Sequence, residues 1–246
     1  MSYDCFADYY DRLMEDADYP ARTEYLLGLF EKFDRRPTLL LDAACGTGSF
    51  SLEFAKRGIE VIGADPAAAM LAVAKERALE AGQDILFLCQ SAAELELYGT
   101  VDGAVCCMDS LNHIVDYEEF CRSLTRIALF LEPGRLFLFD MNTPYKHREI
   151  LGDNAFVYEL EDLFLVWQNE TEDDCTHIYL DFFTPQADGR YVRACEDFSE
   201  RAYTAGEIAA ALDKAGLILE AVYDDMTLSP PAADSQRLVY VTRRRG

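Results

Sequence analysis

Short apolar runs alternate with longer amphipathic segments through the first half of the chain. The apolar runs are rich in Leu, Ile, Val, Phe and Cys and show little polar alternation, which is typical of parallel strands buried on both faces. Between the runs, apolar residues recur at helical spacing. This alternation predicts a parallel sheet with helices on both faces. The predicted strands are Thr38–Ala43, Glu60–Ala64, Ile85–Cys89, Gly103–Cys107 and Arg135–Asp140, and the clearest helices are Tyr19–Phe33 and Tyr117–Leu131.

The pattern changes after the fifth predicted strand. Two alternating segments, IYLDFF and YVRACEDF, flank the sequence PQADG, in which Asp188 and Gly189 are a hairpin signal. An earlier segment, FVYELEDLFLVWQNE, predicts two further strands. We therefore expect residues 143–203 to form an antiparallel insertion, a lid over the C-terminal edge of the parallel sheet.

The first pattern returns after the insertion. Thr204 and Glu207 have the spacing of a capping box at the start of a helix, and Gly216 is a helix stop. Two strands follow, Leu217–Asp224 and Gln236–Arg243. We expect residues 1–142 and 204–246 to form one domain, interrupted by the insertion of residues 143–203.

The segment TLLLDAACGTGSF carries the strongest chemical signal. An apolar strand ends at Asp42, a turn of small residues runs to Gly48, and a helix follows. Small residues let a ligand approach the backbone closely, and a helix N-terminus offers N–H donors. Seventeen residues after Gly48 the next strand ends at Asp65, whose carboxylate can accept both hydroxyls of a ribose. This order of elements predicts a nucleoside-binding site.

The details of the turn select among nucleoside ligands. The dinucleotide fingerprint would need a glycine where Ser51 stands, and the Gly-Lys-Ser/Thr of a P-loop is absent. Asp42 would also repel a pyrophosphate, whereas a carboxylate suits a ligand with a cationic amino group. An NAD-dependent oxidoreductase is therefore disfavoured.

The motif DAACGTG, followed by a strand that ends in an acid, resembles the S-adenosylmethionine (SAM) site of class I methyltransferases. The resemblance extends over the chain and implies an α/β, Rossmann-like, doubly wound sheet of seven mostly parallel strands, with the final strand antiparallel. It also implies that Asp42, Ala44 and Gly46 hold the methionine end of SAM and that Asp65 binds the ribose. The other implied cofactor contacts are Pro66, Met70, Ser91, Ala92 and Met108.

Two positions depart from the family pattern. The family usually has glycine where Ala44 stands, and often aspartate where Ser91 stands. Three of the proposed contacts also have simpler readings when each is taken alone. Asp65 precedes Pro66 and could cap a helix, Met70 could be a core residue, and Ser91 could be a turn residue.

Two further segments resemble small-molecule N-methyltransferases that act on aminosugars and on glycine. The segment YDCFADYYDRLMEDADYP resembles their aromatic cap, which implies that Tyr3, Tyr10 and Tyr19 approach the sulfonium or the substrate, with Tyr10 also catalytic. The segment CCMDSLNHI resembles a loop that presents a histidine to the substrate, which implies a catalytic role for His113. The alternatives are a docking helix with buried aromatic residues and a structural histidine.

Composition excludes several classes of partner. The chain of 246 residues has 22 Lys and Arg against 45 Asp and Glu, a formal charge of −23, which disfavours nucleic acid and anionic membranes. No apolar stretch approaches the roughly 20 residues that cross a bilayer, and the N-terminus lacks the features of a signal peptide. The eight cysteines form no CxxC pair, which indicates a reduced, cytosolic protein without a zinc site.

Together these features predict a cytosolic SAM-dependent methyltransferase that acts on a small molecule, with an amine as the expected acceptor and no metal. We expect a monomer or a homodimer without nucleic-acid or membrane partners. Two alternatives stay open, an O-methyltransferase that uses the same site and a SAM-binding protein without turnover. A binder of that kind would not need polar side chains that face the methyl group.

Overall fold

The structure is a computed structural model that describes residues 17–160 and 162–246. Strands and helices alternate in the first half, as the apolar pattern predicts. The strands are β1 (Leu39–Ala43), β2 (Glu60–Asp65), β3 (Leu86–Cys89), β4 (Gly103–Cys106) and β5 (Leu136–Asn142). The helices are α1 (Tyr19–Phe33), α2 (Ser49–Lys56), α3 (Ala68–Glu80) and α4 (Tyr117–Phe130).

The second half contains the insertion and the end of the main sheet. Its strands are β6 (Ala155–Leu160), β7 (Leu163–Glu172), β8 (Cys175–Pro185), β9 (Tyr191–Arg201), β10 (Leu217–Asp224) and β11 (Arg237–Arg244). One α-helix, α5 (Ala205–Ala215), lies between β9 and β10. The side chain of Thr204 and that of Glu207 make the expected capping box, and Gly216 ends α5 with a φ of 74°.

The main sheet has seven strands in the order β10-β11-β5-β4-β1-β2-β3. The five strands from β5 to β3 are parallel, and β11 runs antiparallel to both of its neighbours. The predicted fold class is therefore confirmed. Because β1 to β5 are parallel, the loops that follow them lie at one edge of the sheet, which is the usual place for a ligand in such folds.

Most strands differ from the prediction by one residue at one or both ends, and two of the differences have a clear local cause. β5 continues to Asn142, two residues beyond the predicted end, because Arg237 of β11 pairs with Asn142. β4 ends at Cys106, one residue early. Met108 and Asp109 have φ values of 57° and 52°, which turn the chain away from the strand direction.

Helices cover both faces of the main sheet. One apolar core contains residues of α4 and α5, including Phe120 and Leu212, packed on strand residues such as Phe139. The core on the opposite face contains residues of α1 and α2, including Phe30 and Phe54. Among the described residues, no helix combines the length and the apolar character needed to cross a bilayer.

Residues between β5 and α5 form a separate four-stranded antiparallel sheet in the order β6-β7-β8-β9, as expected for the insertion. Its longest hairpin turns at Gln186–Arg190, where Gly189 has a φ of 81°. One face packs on α3, where Met70 joins a buried cluster with Leu165, Ile178 and Phe182. The chain leaves the main sheet at the C-terminal end of β5, so the insertion lies at the edge that carries the Asp42 turn.

Candidate functional site

An open cleft lies at the C-terminal edge of the sheet, between the loops after β1 and β4. Five residues from the predicted cofactor site line this cleft: Tyr19, Asp42, Ala44, Gly46 and Met108. The ring of Tyr19 packs edge-on against Phe50 of α2, with ring centroids 5.1 Å apart. The structure thus brings together the turn after β1 and the turn after β4, which are separated by about sixty residues in the sequence.

Asp42 is a buried carboxylate without a cationic partner in the described residues. Its exposed fraction is only 2%, and its Oδ2 accepts a hydrogen bond from the Ser51 hydroxyl at 2.5 Å. Burial raises the pKa of Asp42 to about 7, and the hydrogen bond from Ser51 opposes the rise only in part. A buried carboxylate in this condition favours a cation beside it.

Left-handed backbone shapes the turn beside Asp42. Ala44, Gly46 and Gly48 have φ values of 58°, 54° and 75°. Glycine accepts such values without cost, whereas an alanine in the left-handed region costs roughly 1–2 kcal/mol. Ala44 stands where the family usually has glycine. It keeps the left-handed turn geometry but adds local backbone strain, and strain of this kind is often found at ligand sites.

Asp65, at the end of β2, stabilises this turn through a hydrogen bond. Its Oδ2 accepts a hydrogen bond from the backbone N–H of Gly46 at 2.9 Å, and its Oδ1 accepts one from Ala67 at 2.8 Å. Burial raises the pKa of Asp65, while these two hydrogen bonds oppose the rise. Asp65 is thus a helix-end acceptor as well as a candidate ribose ligand, because each carboxylate oxygen has a second lone pair. Pro66, the next residue, is exposed.

Five predicted cofactor residues in the described part of the chain do not line the cleft: Asp65, Pro66, Met70, Ser91 and Ala92. Met70 is buried in the cluster between α3 and the insertion, which matches the core reading of this residue. Ser91 precedes a short 3₁₀ turn that starts at Ala92, and its hydroxyl donates to Glu94 at 3.3 Å. Tyr3 and Tyr10 lie outside the described residues. The adenine contacts of Met70, Ser91 and Ala92 stay predictions.

A second polar group lies where β4 and β5 end. Asp140 accepts hydrogen bonds from the backbone N–H groups of Met108 and Asp109, both at 2.8 Å, and from the guanidinium of Arg237. Arg237 also donates to Asp109 at 3.0 Å. Burial alone would raise the pKa of Asp109, but Arg237 and Lys146 hold it well below its usual range. These ion pairs fix the loop that contains His113.

His113 ends the 3₁₀ turn after β4, and its side chain is 27% exposed. Its ring packs on Phe198 of the insertion, with ring centroids 4.9 Å apart, and its Nε2 lies 3.7 Å from Oε1 of Glu200. Glu200 also belongs to the insertion and is 5% exposed. The main sheet and the insertion therefore meet at this histidine.

The sequence interpretation did not find Glu200, Lys146, His147 and Arg237. Arg237 lies in the predicted strand Gln236–Arg243 and Lys146 lies six residues after the predicted end of the fifth strand, but nothing in the chain indicates which carboxylates they meet. The sequence carried one usable signal for Glu200, since two acids of β9, Glu196 and Glu200, face the same side as Phe198. In the described residues no group of His, Cys, Asp or Glu is arranged to hold a metal ion.

The polar groups in and beside the cleft fit the SAM that the motif implies. Asp42 offers a negative charge to an ammonium group, Asp65 offers acceptor positions to a ribose, and the small residues of the turn leave the backbone accessible. A Cβ added at Gly46 would meet no atom within 4 Å, so the side of this residue is open. Asp42 supplies the strongest argument, because its charge has no partner among the described residues.

Comparisons with known proteins agree with this chemistry. The family described as "Methyltransferase domain" matches residues 40–134. The "Putative methyltransferase YqeM" of Bacillus subtilis (strain 168) is 31% identical over 99% of this chain and 98% of its own length. A crystal structure of a SAM-dependent methyltransferase from Clostridium acetobutylicum ATCC 824 is 28% identical, with a TM-score of 0.91 over 99% of both chains.

A more distant structure shares the fold. SAM-bound CalS10 from Micromonospora echinaspora, an amino pentose methyltransferase involved in calicheamicin biosynthesis, is 20% identical, with a TM-score of 0.77 over 95% of this chain and 96% of its own. The full-length match to YqeM, the strand order and the turn at Asp42 lead to the same assignment. The chain belongs to the class I SAM-dependent methyltransferases.

Proposed function

We propose that this methyltransferase transfers the methyl group to a small-molecule amine and that His113 removes the proton of the incoming ammonium. The observation that carries the proposal is the position of His113 in the loop after β4, near the carboxylates of Asp65 and Glu200. Acidic side chains attract a cationic acceptor, and an imidazole at this place can accept its proton.

The protein supplies position and proton transfer in this reaction. When SAM is bound, its sulfonium provides an electrophilic methyl group. Asp42 and the turn through Ala44 and Gly46 hold the amino-acid end, while Asp65 holds the ribose. Tyr19, which lines the cleft, contributes an aromatic face near the positive charge, and the family resemblance implies the same role for Tyr10, which lies outside the described residues. Orientation of this kind can lower a barrier by about 7–11 kcal/mol.

The insertion of residues 143–203 acts as the cover of the acceptor site. It lies at the C-terminal edge of the sheet and contributes Phe198 and Glu200 to the surroundings of His113. A cover excludes water and strengthens the electrostatic interactions beneath it. Residues 1–142 and 204–246 then form the SAM-binding domain. CalS10 shares the fold, and its amino pentose acceptor is consistent with an amine here.

The test is a screen of metabolite extracts for transfer of labelled methyl from SAM, followed by identification of the product. We expect a methylated amine. A product methylated on oxygen would contradict the amine proposal and would favour the O-methyltransferase alternative.

His113→Ala tests the role of the histidine with the acceptor that the screen identifies. General-base catalysis typically contributes about a hundredfold to ten-thousandfold. We expect turnover to fall at least about tenfold, while SAM affinity measured by calorimetry stays within about threefold. His177→Ala is the matched control, because His177 lies on β8 and its Nδ1 contacts Ser199 at 2.8 Å. Full activity of His113→Ala would show that His113 is structural.

A further inference from the structure

Glu200 is a buried carboxylate that the insertion delivers to the edge of the main sheet. Its Oε2 accepts a hydrogen bond from the side-chain amide of Asn142 at 3.1 Å and lies 3.6 Å from Nε2 of His147. Its Oε1 lies 3.7 Å from Nε2 of His113. A buried carboxylate needs donors around it, and here one carboxylate lies between two imidazoles.

The hydrogen bonds around His147 determine which of its nitrogens carries the proton. The hydroxyl of Thr171 donates its hydrogen to the carbonyl of Gly152 at 3.0 Å, so it cannot also donate to Thr176. Thr176 Oγ1 lies 3.0 Å from Nδ1 of His147 and 3.4 Å from the Thr171 hydroxyl, which favours donation to His147. The proton of His147 is then on Nε2, which faces Glu200. Burial lowers the pKa of His147 to about 4, so this imidazole is neutral at pH 7.

The two oxygens of Glu200 therefore have separate tasks. Oε2 accepts a hydrogen bond from Asn142 and faces Nε2 of His147, while Oε1 faces His113. Separations of 3.6–3.7 Å are longer than hydrogen bonds, and such contacts at catalytic sites often tighten only when the substrate is bound. The ring of Phe198 packs on His113 and limits its rotation, which keeps Nε2 directed at Glu200.

We propose that Glu200 is a positioning residue that holds His113 in its Nε2–H tautomer and thereby makes Nδ1 the basic nitrogen. This inference rests on the proposed role of His113 as the base. A carboxylate that orients an imidazole in this way also stabilises the imidazolium that forms when the base is protonated.

The proton balance of the step is simple. An N–H bond of the acceptor ammonium breaks, and an N–H bond forms at Nδ1 of His113. The amine keeps the electron pair for its attack on the methyl group, and the positive charge moves to the imidazolium beside Glu200. The proton passes to solvent afterwards. Asp65, Asp109 and His147 are the other titratable groups that act on His113, and Lys146 acts on Glu200 and Asp109.

Nitrogen-15 NMR of the ligand-free protein tests the tautomers without any substrate. Long-range proton–nitrogen correlations distinguish the two neutral forms, and the chain has only three histidines to assign. At pH 8 we expect both His113 and His147 as Nε2–H. In Glu200→Gln we expect the signals of both rings to move and His113 to populate the Nδ1–H form. A wild-type His113 that is mainly Nδ1–H would overturn the inference, whether or not the variant folds.

Asp197→Asn is the matched control. It removes the same charge from the same strand, but Asp197 is exposed and lies three residues from Glu200, on the opposite face of β9. We expect this variant to leave the ring signals of His113 and His147 unchanged. Equal changes in both variants would show a general effect of charge and would contradict a specific role of Glu200.

Turnover of the acceptor found in the screen provides the second readout. Glu200→Gln should lower kcat about tenfold or more, with SAM affinity within about threefold. If NMR shows the expected tautomers but His113→Ala keeps full activity, His113 is not the base and the proposed function fails, while the inference that Glu200 orients His113 stands. An unchanged kcat in Glu200→Gln, with His113→Ala inactive, overturns this inference alone.

Discussion

The most informative single residue is Asp42, a carboxylate that is buried without a countercharge in the described part of the chain. Burial raises its pKa to about 7, so the folded protein binds a proton at Asp42 more tightly than the unfolded chain does. Stability is therefore lost as the pH rises from the unfolded value of about 4 towards 7, and the loss is complete above pH 7. Binding of a cationic ligand group reverses this cost.

Asp42→Asn should therefore stabilise the ligand-free protein and weaken SAM binding. The amide can still accept the hydrogen bond from Ser51 but carries no charge. We expect the free energy of unfolding at pH 8 to rise by about 1–3 kcal/mol, the upper part of which corresponds to two pKa units. The gain should vanish near pH 4. SAM affinity should fall at least about tenfold, because the interaction with the ammonium is lost.

Urea unfolding at pH 4, 6 and 8 and calorimetry with SAM give both quantities. Asp84→Asn is a suitable control, because Asp84 is an exposed residue in the loop before β3. If Asp42→Asn and the wild type have the same free energy of unfolding at pH 8, Asp42 already has a partner that compensates its charge.

At the scale of elements, β11 joins the main sheet to the loop that carries His113. Its first residue, Arg237, whose side chain is 12% exposed, lies between Asp109 and Asp140 and links the ends of β4, β5 and β11. Burial lowers the pKa of Arg237, but the two carboxylates outweigh it and raise the pKa above its usual range. The guanidinium stays charged. Replacement of Arg237, or of the carboxylates that pair with it, by a neutral side chain therefore leaves a mostly buried charge without its partner.

Arg237→Met should cost about 3–5 kcal/mol of unfolding free energy, since it leaves Asp109 and Asp140, with side chains only 16% and 8% exposed, without their cation. Arg193→Met, at an exposed ion pair with Asp181 on the insertion, should cost less than about 1 kcal/mol. Denaturant unfolding of both variants measures the difference. Similar losses in the two would mean that Arg237 contributes through its size and not through its charge.

Much of the fold was predictable because local rules determine it. Buried parallel strands produce apolar runs, capping residues mark the ends of α5, and the turn after β1 has its own motif. The site was predictable where it depends on one contiguous segment, as from Asp42 to Gly48. The position of Glu200 in the site could not be predicted. The alternation in β9 indicates on which face of the strand Glu200 lies, but not which element of the protein packs against that face. Met70 has helical spacing, which does not distinguish a cluster under the insertion from a wall of the cleft.

In the molecule as a whole, the net charge of −23 causes electrostatic repulsion among the acidic side chains. This repulsion is stronger in the compact folded state than in the unfolded chain. Many surface carboxylates lie within one Debye length of each other at low salt, about 30 Å at 0.01 M. Screening therefore reduces the repulsion in the compact state more than in the expanded, unfolded chain. The protein should be more stable at moderate ionic strength than in dilute buffer.

We expect the melting temperature at pH 7 to rise by about 2–4 °C between 0.02 and 0.3 M NaCl, which corresponds to roughly 1 kcal/mol for a chain of this size. Tetramethylammonium chloride at equal ionic strength should give the same increase, since screening depends on ionic strength. Scanning calorimetry measures both. A melting temperature that is flat or falls over this range would mean that ion pairs at the surface outweigh the repulsion.

The pairing of β5 with β11 has a consequence for the synthesis of the chain. Residue 142 ends β5 and its partner is residue 237, so 95 residues separate the two, and the four-stranded sheet of the insertion lies between them. At roughly 5–20 residues per second, a ribosome needs about 5–20 s to bridge that gap. During this time one side of β5, a strand made entirely of buried positions, has no neighbour. The insertion completes its own hairpins first, and this apolar edge is the part of the nascent chain that most needs protection from other chains.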